Sequence, residues 1–381
     1  MPLVKCLLVP PIVRPEALCQ AAVSLPPSAY VLKMSARHDP QRSPTVIGSL
    51  RDGNTMVTVY FGTNRNLSPN AEGIDFGDRF SETDLGDLRF GQAEVIDGTL
   101  DSSRIQLLPD TKAEGSMKLF QDLQQTMRSQ SLDSILLIHG FNVTFKGALE
   151  GAANFKTRLA ALSDNQYTPN VFVFSWPSNG ELFDYKDDRH DAQASGYAFA
   201  RGLKKLTEFL RDPSSGEPCQ QRVNLVAHSM GNYVLRHALQ ETQKLSGNRI
   251  LPRLFDNIIL TAADEDNDAF EHDYKFARLP ELGKQVTVYF NTEDQALTVS
   301  DVTKGNPDRL GQSGPRYPRQ LPYKVAVVDV SDLVSILREH SYHVTNDQVV
   351  RDVIAVLQGQ SPDNLTARRY IEHANKFKLS R

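Results

Sequence analysis

The chain has 381 residues with 42 Lys or Arg and 46 Asp or Glu, a formal net charge of −4 at pH 7. That balance leaves no basic excess to neutralise phosphates, which excludes nucleic acid as a partner. Apolar residues make up 40%, the usage of a packed globular body and not of a coiled-coil, collagenous or disordered chain.

In chain order, residues 1–54 are rich in Pro, Ser and Ala without a sustained period, and read as an extension. The opening MPLVKCLLVPPIV is broken by Lys5, Pro10 and Pro11, too short for a membrane span and poor as a secretion signal, so no stable membrane insertion and a cytoplasmic residence are expected. Cys6, Cys19 and Cys219 are widely spaced and form no C-x-x-C pair, which excludes a disulfide scaffold. Order begins with VTVYF at Val57. A Gly-, Asp- and Asn-rich stretch runs from Thr63 to Lys112, with edge strands expected at GQAEVI and RIQLL.

Apolar runs then alternate with helical patterns: SILLI from Ser134, VFVFSW from Val171, VNLVAH from Val223, NIILT from Asn257, VTVYF from Val286 and KVAVVDV from Lys324. Runs apolar on successive residues fit strands buried on both faces, so the pattern predicts an α/β fold, a mostly parallel sheet with helices on both sides. The stretch 301–322 is too long for a simple connection and is expected to border the site. The segment NLTARRYIEHANKFKL predicts an amphipathic helix over 361–381 that packs on a catalytic domain spanning 55–360.

The chemistry concentrates in VNLVAHSMGNYVLRHAL. A strand running into a helix through a serine flanked at two residues either side by small Ala227 and Gly231 is the pattern of a nucleophile elbow. It lifts the Ser229 hydroxyl above the sheet and aims the helix N-terminus at a developing oxyanion. His228, beside it, is expected to point away from the cleft. The strand before it ends in His139, Gly140, Phe141 and Asn142. Backbone N–H groups of Met230 and Phe141 are the candidate oxyanion donors, with His139 supporting the loop.

An orienting acid should come after a later strand, and both Asp264 and Asp294 do so, with Glu293 and Asp301 as lesser candidates. A base should come after the last strand, where His340 and His343 both stand. Asp264, Asp266 and Asp268 have the opening spacing of a calcium loop, but Ala269 and Lys275 occupy the positions that need Gly and a carboxylate, so a solvated acidic loop is expected. His340 and His343 lack the third ligand of a zinc site. No metal and no cofactor is implied.

LLIHGFN, VFSWPSNG, VAHSMGNY, VYFNTEDQAL and EHSYH, in this order, resemble the α/β-hydrolase superfamily, and more closely a bacterial family of largely uncharacterised serine hydrolases that begin with a strand followed by GTNR. The resemblance covers residues 56 to 360 and implies a triad in chain order Ser229, Asp294, His340, since the family's aspartate precedes QAL and its histidine precedes Ser341 and Tyr342. Ala227 stands where the commonest elbow has Gly. Trp176 and Pro177 either line the cleft or belong to the core. Tyr60, Asn64 and Arg65 match the family opening, where a structural hydrogen-bonding corner is expected.

The expectation is a serine hydrolase acting on a small-molecule carboxylic ester. A lipase, thioesterase or acyltransferase would use the same groups, and a non-catalytic binding protein on the same scaffold is the alternative outside enzymes.

Overall fold

The computed structural model describes residues 55–380 apart from 70–72, 82–83, 85–86, 109–113, 180–184, 213–218, 248, 298–307 and 335–338; the extension expected over 1–54 lies outside the described residues. The first half of the chain forms β1 (Met56–Thr63), β2 (Arg65–Leu67), β3 (Phe76–Phe80), β4 (Arg89–Ile96), β5 (Thr99–Leu108), α1 (Glu114–Gln130), β6 (Ser134–Ile138), α2 (Phe145–Leu162), β7 (Asn170–Ser175) and α3 (Tyr185–Arg211). The second half forms β8 (Val223–His228), α4 (Gly231–Leu245), β9 (Phe255–Thr261), β10 (Gly283–Phe290), β11 (Val325–Asp329), α5 (Asp347–Leu357), β12 (Arg368–Ile371) and β13 (Lys376–Leu379).

One sheet takes the order β12-β13-β11-β10-β9-β8-β6-β7-β1-β4-β5, and a separate hairpin pairs β2 with β3. From β1 to β13 every neighbouring pair across the middle is parallel, while β4, β5 and β12 are antiparallel additions at the two edges. The chain leaves β6 for β7 on one side and returns through α3 to β8 on the other. That reversal of direction is where open α/β sheets bind ligands, beyond the carboxyl ends of the strands.

The continuous apolar runs are explained by burial on two faces. Ile135 and Leu137 of β6 join a cluster with Phe145, Leu149, Phe155 and Leu159 of α2 and Val349, Val350 and Val353 of α5. Leu136 and Ile138 join the opposite cluster with Phe199 of α3 and Val234, Leu235 and Leu239 of α4. The side-chain alternation of a strand sends successive residues to opposite faces, so both sets must be apolar. Among the described residues no helix is long and apolar enough to cross a membrane.

The C-terminal helix expected over 361–381 is not formed. Residues there fold back as the hairpin β12–β13, and β13 pairs parallel with β11, placing Phe377 beside Val328. Two local features select strand: Phe377 and Leu379 alternate with lysines at period two, and Asn375 takes the left-handed turn conformation at φ 45°. Buried Arg368 then pairs with Asp352 of α5 at 2.6 Å and donates to the Tyr289 hydroxyl at 3.1 Å.

Candidate functional site

Ser229 occupies the turn between β8 and α4 with φ +52°, a left-handed conformation that costs a non-glycine residue about 1–2 kcal/mol. A dense set of backbone bonds holds it there. Its N–H donates to Thr261 O at 3.0 Å, and its carbonyl accepts from the N–H groups of Asn232 at 3.0 Å and Asp264 at 3.2 Å. The Asn232 side-chain amide donates to Ala227 O at 3.1 Å and Ser229 O at 3.0 Å, closing the turn from below.

Gly231 is required by close approach. A Cβ there would stand 2.5 Å from Ile138 O and 2.6 Å from His139 O, so any side chain would push α4 off β6. A Cβ on Gly140 would likewise meet Ser229 Cβ at 2.8 Å and lie 3.3 Å from its Oγ. The bare backbone after β6 therefore passes directly over the serine. Met230 caps α4 with no side-chain hydrogen bond, leaving its N–H at the positive end of the helix.

The loop carrying Phe141 is pinned from two sides. Asp188 of α3, wholly buried, accepts from the Asn142 N–H at 3.5 Å and the Asn179 N–H at 3.1 Å, and its carboxylate also takes the Ser178 hydroxyl. Ser178 Oγ in turn accepts from the Val143 N–H at 3.2 Å. Burial raises the Asp188 carboxyl above its usual range, against these hydrogen bonds and the nearby Arg65 charge. From the other side Arg65 Nη2 donates to Val143 O at 2.7 Å, while its Nε and Nη1 reach Ser175 Oγ and the carbonyls of Gly77 and Ser178. Of the N–H groups of residues 141–143, that of Phe141 alone has no acceptor among the described residues.

Arg65 therefore does more than form the expected corner, and Asp188, Ser178 and Tyr185 went unread in the sequence. No local motif marks them, because Ser178 and Asp188 meet Arg65 and the Phe141 loop only where β1 and β7 end and α3 begins, and Tyr185 at the start of α3 packs on Phe141. Asn64 keeps to the corner, donating to Ser195 Oγ at 3.1 Å. Tyr60 packs at the margin of a small cluster around Phe90.

His139 accepts the Trp176 N–H on Nε2 at 3.2 Å, which places its own proton on Nδ1, 2.8 Å from Gly140 O. Its ring stacks on the indole at 5.2 Å and 9°, and burial pushes the imidazole down to about 3. Trp176 is wholly buried in the core and donates its indole N–H to His139 O at 2.9 Å. This pair is a neutral strut between β6 and β7.

Across the site, β10 runs out through Asn291 to Asp294, which is buried, and the loop after β11 brings His340 onto it. His340 Nδ1 lies 2.8 Å from Asp294 Oδ2 and 3.1 Å from Oδ1. Asp294 Oδ1 also accepts the Ala296 N–H at 3.1 Å. Tyr342 explains the aromatic two residues after His340: its hydroxyl donates to Tyr289 O at 3.0 Å and accepts the Ala262 N–H at 2.7 Å, tying the histidine loop to β9 and β10.

His228 does not turn away from this region as expected. Its ring packs beside those of His340 at 4.9 Å and His343 at 4.5 Å, and Nε2 lies 3.2 Å from His340 O, where the neutral ring donates. Burial holds its imidazole well below the ordinary range. His343 is buried against Phe155, and burial pushes it down to about 3, so it is an uncharged interior ring. Asn346 caps α5 by accepting from Gln348 and Val349 N–H.

The expected solvated acidic loop is instead a buried ion network. Asp264 takes the Tyr185 hydroxyl, lies 3.5 Å from Arg309 Nε and 3.9 Å from Arg189 Nη1, and is 2% exposed. Asp266 pairs with Arg309 at 2.7 Å and Lys275 at 2.8 Å, Asp268 also binds Lys275, and Glu265 pairs with Arg236 at 2.9 Å. Their partners come from α3, α4 and two later loops, which no local window of sequence joins. Among the described residues no group of three or more His, Cys, Asp or Glu side chains is placed to hold a metal ion.

Of the loop at 301–322, residues 301–307 lie outside the described residues. Its second part packs at the ends of β9 and β10, with Gly311 O accepting the Asn291 N–H at 3.0 Å and Gln312 Nε2 3.5 Å from Asp294 O.

The chain is similar to an uncharacterized protein, alr1448, of Nostoc sp., 27% identical over 148 residues that cover 32% of this chain and 36% of the relative. It thus spans about a third of that relative's length. The model of a family described as alpha/beta hydrolase of unknown function (DUF900) matches residues 116–358, from α1 through the serine turn and the His340 loop to the end of α5. With the parallel sheet, its helices on both faces and the serine at the end of β8, this match makes the chain a member of that alpha/beta-hydrolase family.

Proposed function

We propose that the protein is a serine hydrolase that cleaves carboxylic esters through an acyl-enzyme on Ser229. His340 serves as base and then acid, and Asp294 orients it. The observation that carries this reading is the His340 Nδ1 to Asp294 Oδ2 contact of 2.8 Å. A carboxylate on Nδ1 fixes the tautomer that leaves Nε2 as the proton acceptor, and it stabilises the imidazolium once formed.

In the first half-reaction Ser229 Oγ attacks the ester carbonyl carbon while its proton passes to His340 Nε2. The oxyanion of the tetrahedral intermediate takes hydrogen bonds from the N–H groups of Met230 and Phe141. Collapse breaks the bond to the alcohol oxygen, which leaves with the proton from His340. Water then attacks the acyl-enzyme by the same path. Nucleophile, proton carrier and oxyanion donors all come from this chain, so the cycle calls for no cofactor or metal. The substrate is a small-molecule ester, and cytoplasmic residence belongs to the same reading.

The test is labelling by a fluorophosphonate beside turnover of p-nitrophenyl esters of increasing chain length. Labelling and short-chain turnover in the native chain, both lost in Ser229→Ala with the fold intact, are expected. A preference for long chains would move the substrate to lipids. Labelling that survives in Ser229→Ala overturns the nucleophile, and a native chain that neither labels nor turns over is a binding protein.

A further inference from the structure

An apolar chamber lies on one face of the sheet, away from Ser229. It lies between α1, α3 and the strands β1, β4 and β7, and reaches Ser134 and Val223 where β6 and β8 begin, whereas Ser229 stands past the end of β8. Its volume is about 210 Å³. The wall includes Phe90, Phe120, Phe172, Phe209, Leu203 and Met127, and among the described lining residues none is charged. Phe90, Met127, Leu203 and Phe209 are at most 5% exposed and form its buried floor, while Leu210, also on the lining, is 48% exposed, so the space opens to solvent on one side. Apolar cavities of about 150 Å³ stay dry and take up benzene.

Two further features point to an occupant. Ser134 is a lining residue, and its Oγ is buried with no hydrogen-bond partner among the described residues. A buried hydroxyl without a partner is costly, and one polar atom on a ligand would satisfy it. Gly202 lies inside α3, where glycine disfavours helix. A Cβ there would meet only Leu88 Cδ1 at 3.5 Å, an ordinary contact, so crowding does not require glycine. Gly196, six residues earlier, differs: its Cβ would strike His237 Cβ at 2.5 Å, where α3 packs on α4. At Gly202 the missing side chain leaves the chamber open.

We propose that this chamber is a binding site for one neutral, mostly apolar molecule of alkylbenzene size, carrying at most one hydrogen-bonding group that meets Ser134. The lining offers no partner for a charge, and burying an unpaired ion is prohibitive. The site is independent of the chemistry at Ser229.

Ethylbenzene and 4-ethylphenol are the probes, used on the full chain with Cys6 and Cys19 replaced by serine, so that Cys219, a free thiol on the lining, is the sole reporter cysteine. Both probes should raise the melting temperature and slow alkylation of Cys219, leaving fluorophosphonate labelling of Ser229 unchanged. Gly202→Leu should weaken both at least tenfold, and Ser134→Ala should weaken 4-ethylphenol several-fold relative to ethylbenzene. If Gly202→Leu does not fold, Gly202→Met fills the same space more gently. The proposal is overturned if neither probe shifts the native chain, if the filled variants bind as the native chain does, or if the probes slow labelling of Ser229 instead of alkylation of Cys219.

Discussion

Asp264 and Asp294 end neighbouring strands at the same edge of one sheet, and both are buried, yet they live in different chemistry. Asp264 is bound by a tyrosine hydroxyl and two guanidinium groups, whose positive charge is permanent. Asp294 faces one imidazole, that of His340, at 2.8 Å. An acid paired with a fixed cation stabilises a shape. An acid paired with a titrating ring strengthens its interaction at the moment the ring takes a proton, and only that arrangement can favour a transition state over a ground state. Strand position selects the pair of candidates, and the difference in partner is what the proposed mechanism uses to choose between them.

The contrast is tested most directly at the acids. Asp294→Asn keeps the shape and misplaces the proton, so kcat should fall about 10⁴-fold with the melting temperature unchanged. If turnover of that variant stays near native, the two aspartates are not distinguished as argued. In the proposed mechanism a guanidinium contributes without moving a proton. Arg65→Lys loses the fork that holds Val143 O, the loop bearing Phe141 shifts, and kcat should drop about 10²-fold with KM little changed. A KM-only effect would remove Arg65 from oxyanion positioning.

Asp264→Asn should retain kcat within about tenfold while losing about 3–5 kcal/mol of stability, because Arg309 is left buried with half its counter-charge. Urea titration of both asparagine variants reads the difference, and equal stabilities would erase it. The smallest effect on turnover belongs to His343→Phe, which tests the interior rings through pH. His139 and His343 are held near 3 in the fold, against 6.5 in the unfolded chain. The unfolded state therefore binds more protons below pH 6.5, and stability present above that pH is lost as the pH falls towards 3. At two units below the unfolded value each ring contributes about 2.7 kcal/mol of that loss. His343→Phe should flatten the dependence of unfolding free energy on pH over that window, and an unchanged slope would mean that His343 is not neutral in the native chain.

The central strands were legible because burial on both faces leaves nothing to alternation: ILLI, VFVF and IIL can be little else. The serine turn was legible because small residues at fixed offsets from Ser229 answer to backbone contacts that do not vary with the rest of the chain. Ion partners were not. Lys275 removes calcium from the Asp264–Asp268 loop by spacing alone, but its role as the loop's cation appears only when the chain folds it back. The hairpin at the C-terminus was missed for a related reason: RRYIEHANKFKL carries weak signals for both periods, and pairing with β11 decides between them.

The left-handed serine has a consequence for how the sequence of this protein can drift. At φ +52° glycine suits the backbone best, so fold and chemistry rank residues at position 229 in opposite orders. A population selected only for solubility or heat resistance should drift to Ser229→Gly, gaining roughly 1 kcal/mol, and one selected for turnover should never leave serine. Sorting a library at that single codon under the two regimes would show which pressure has kept it.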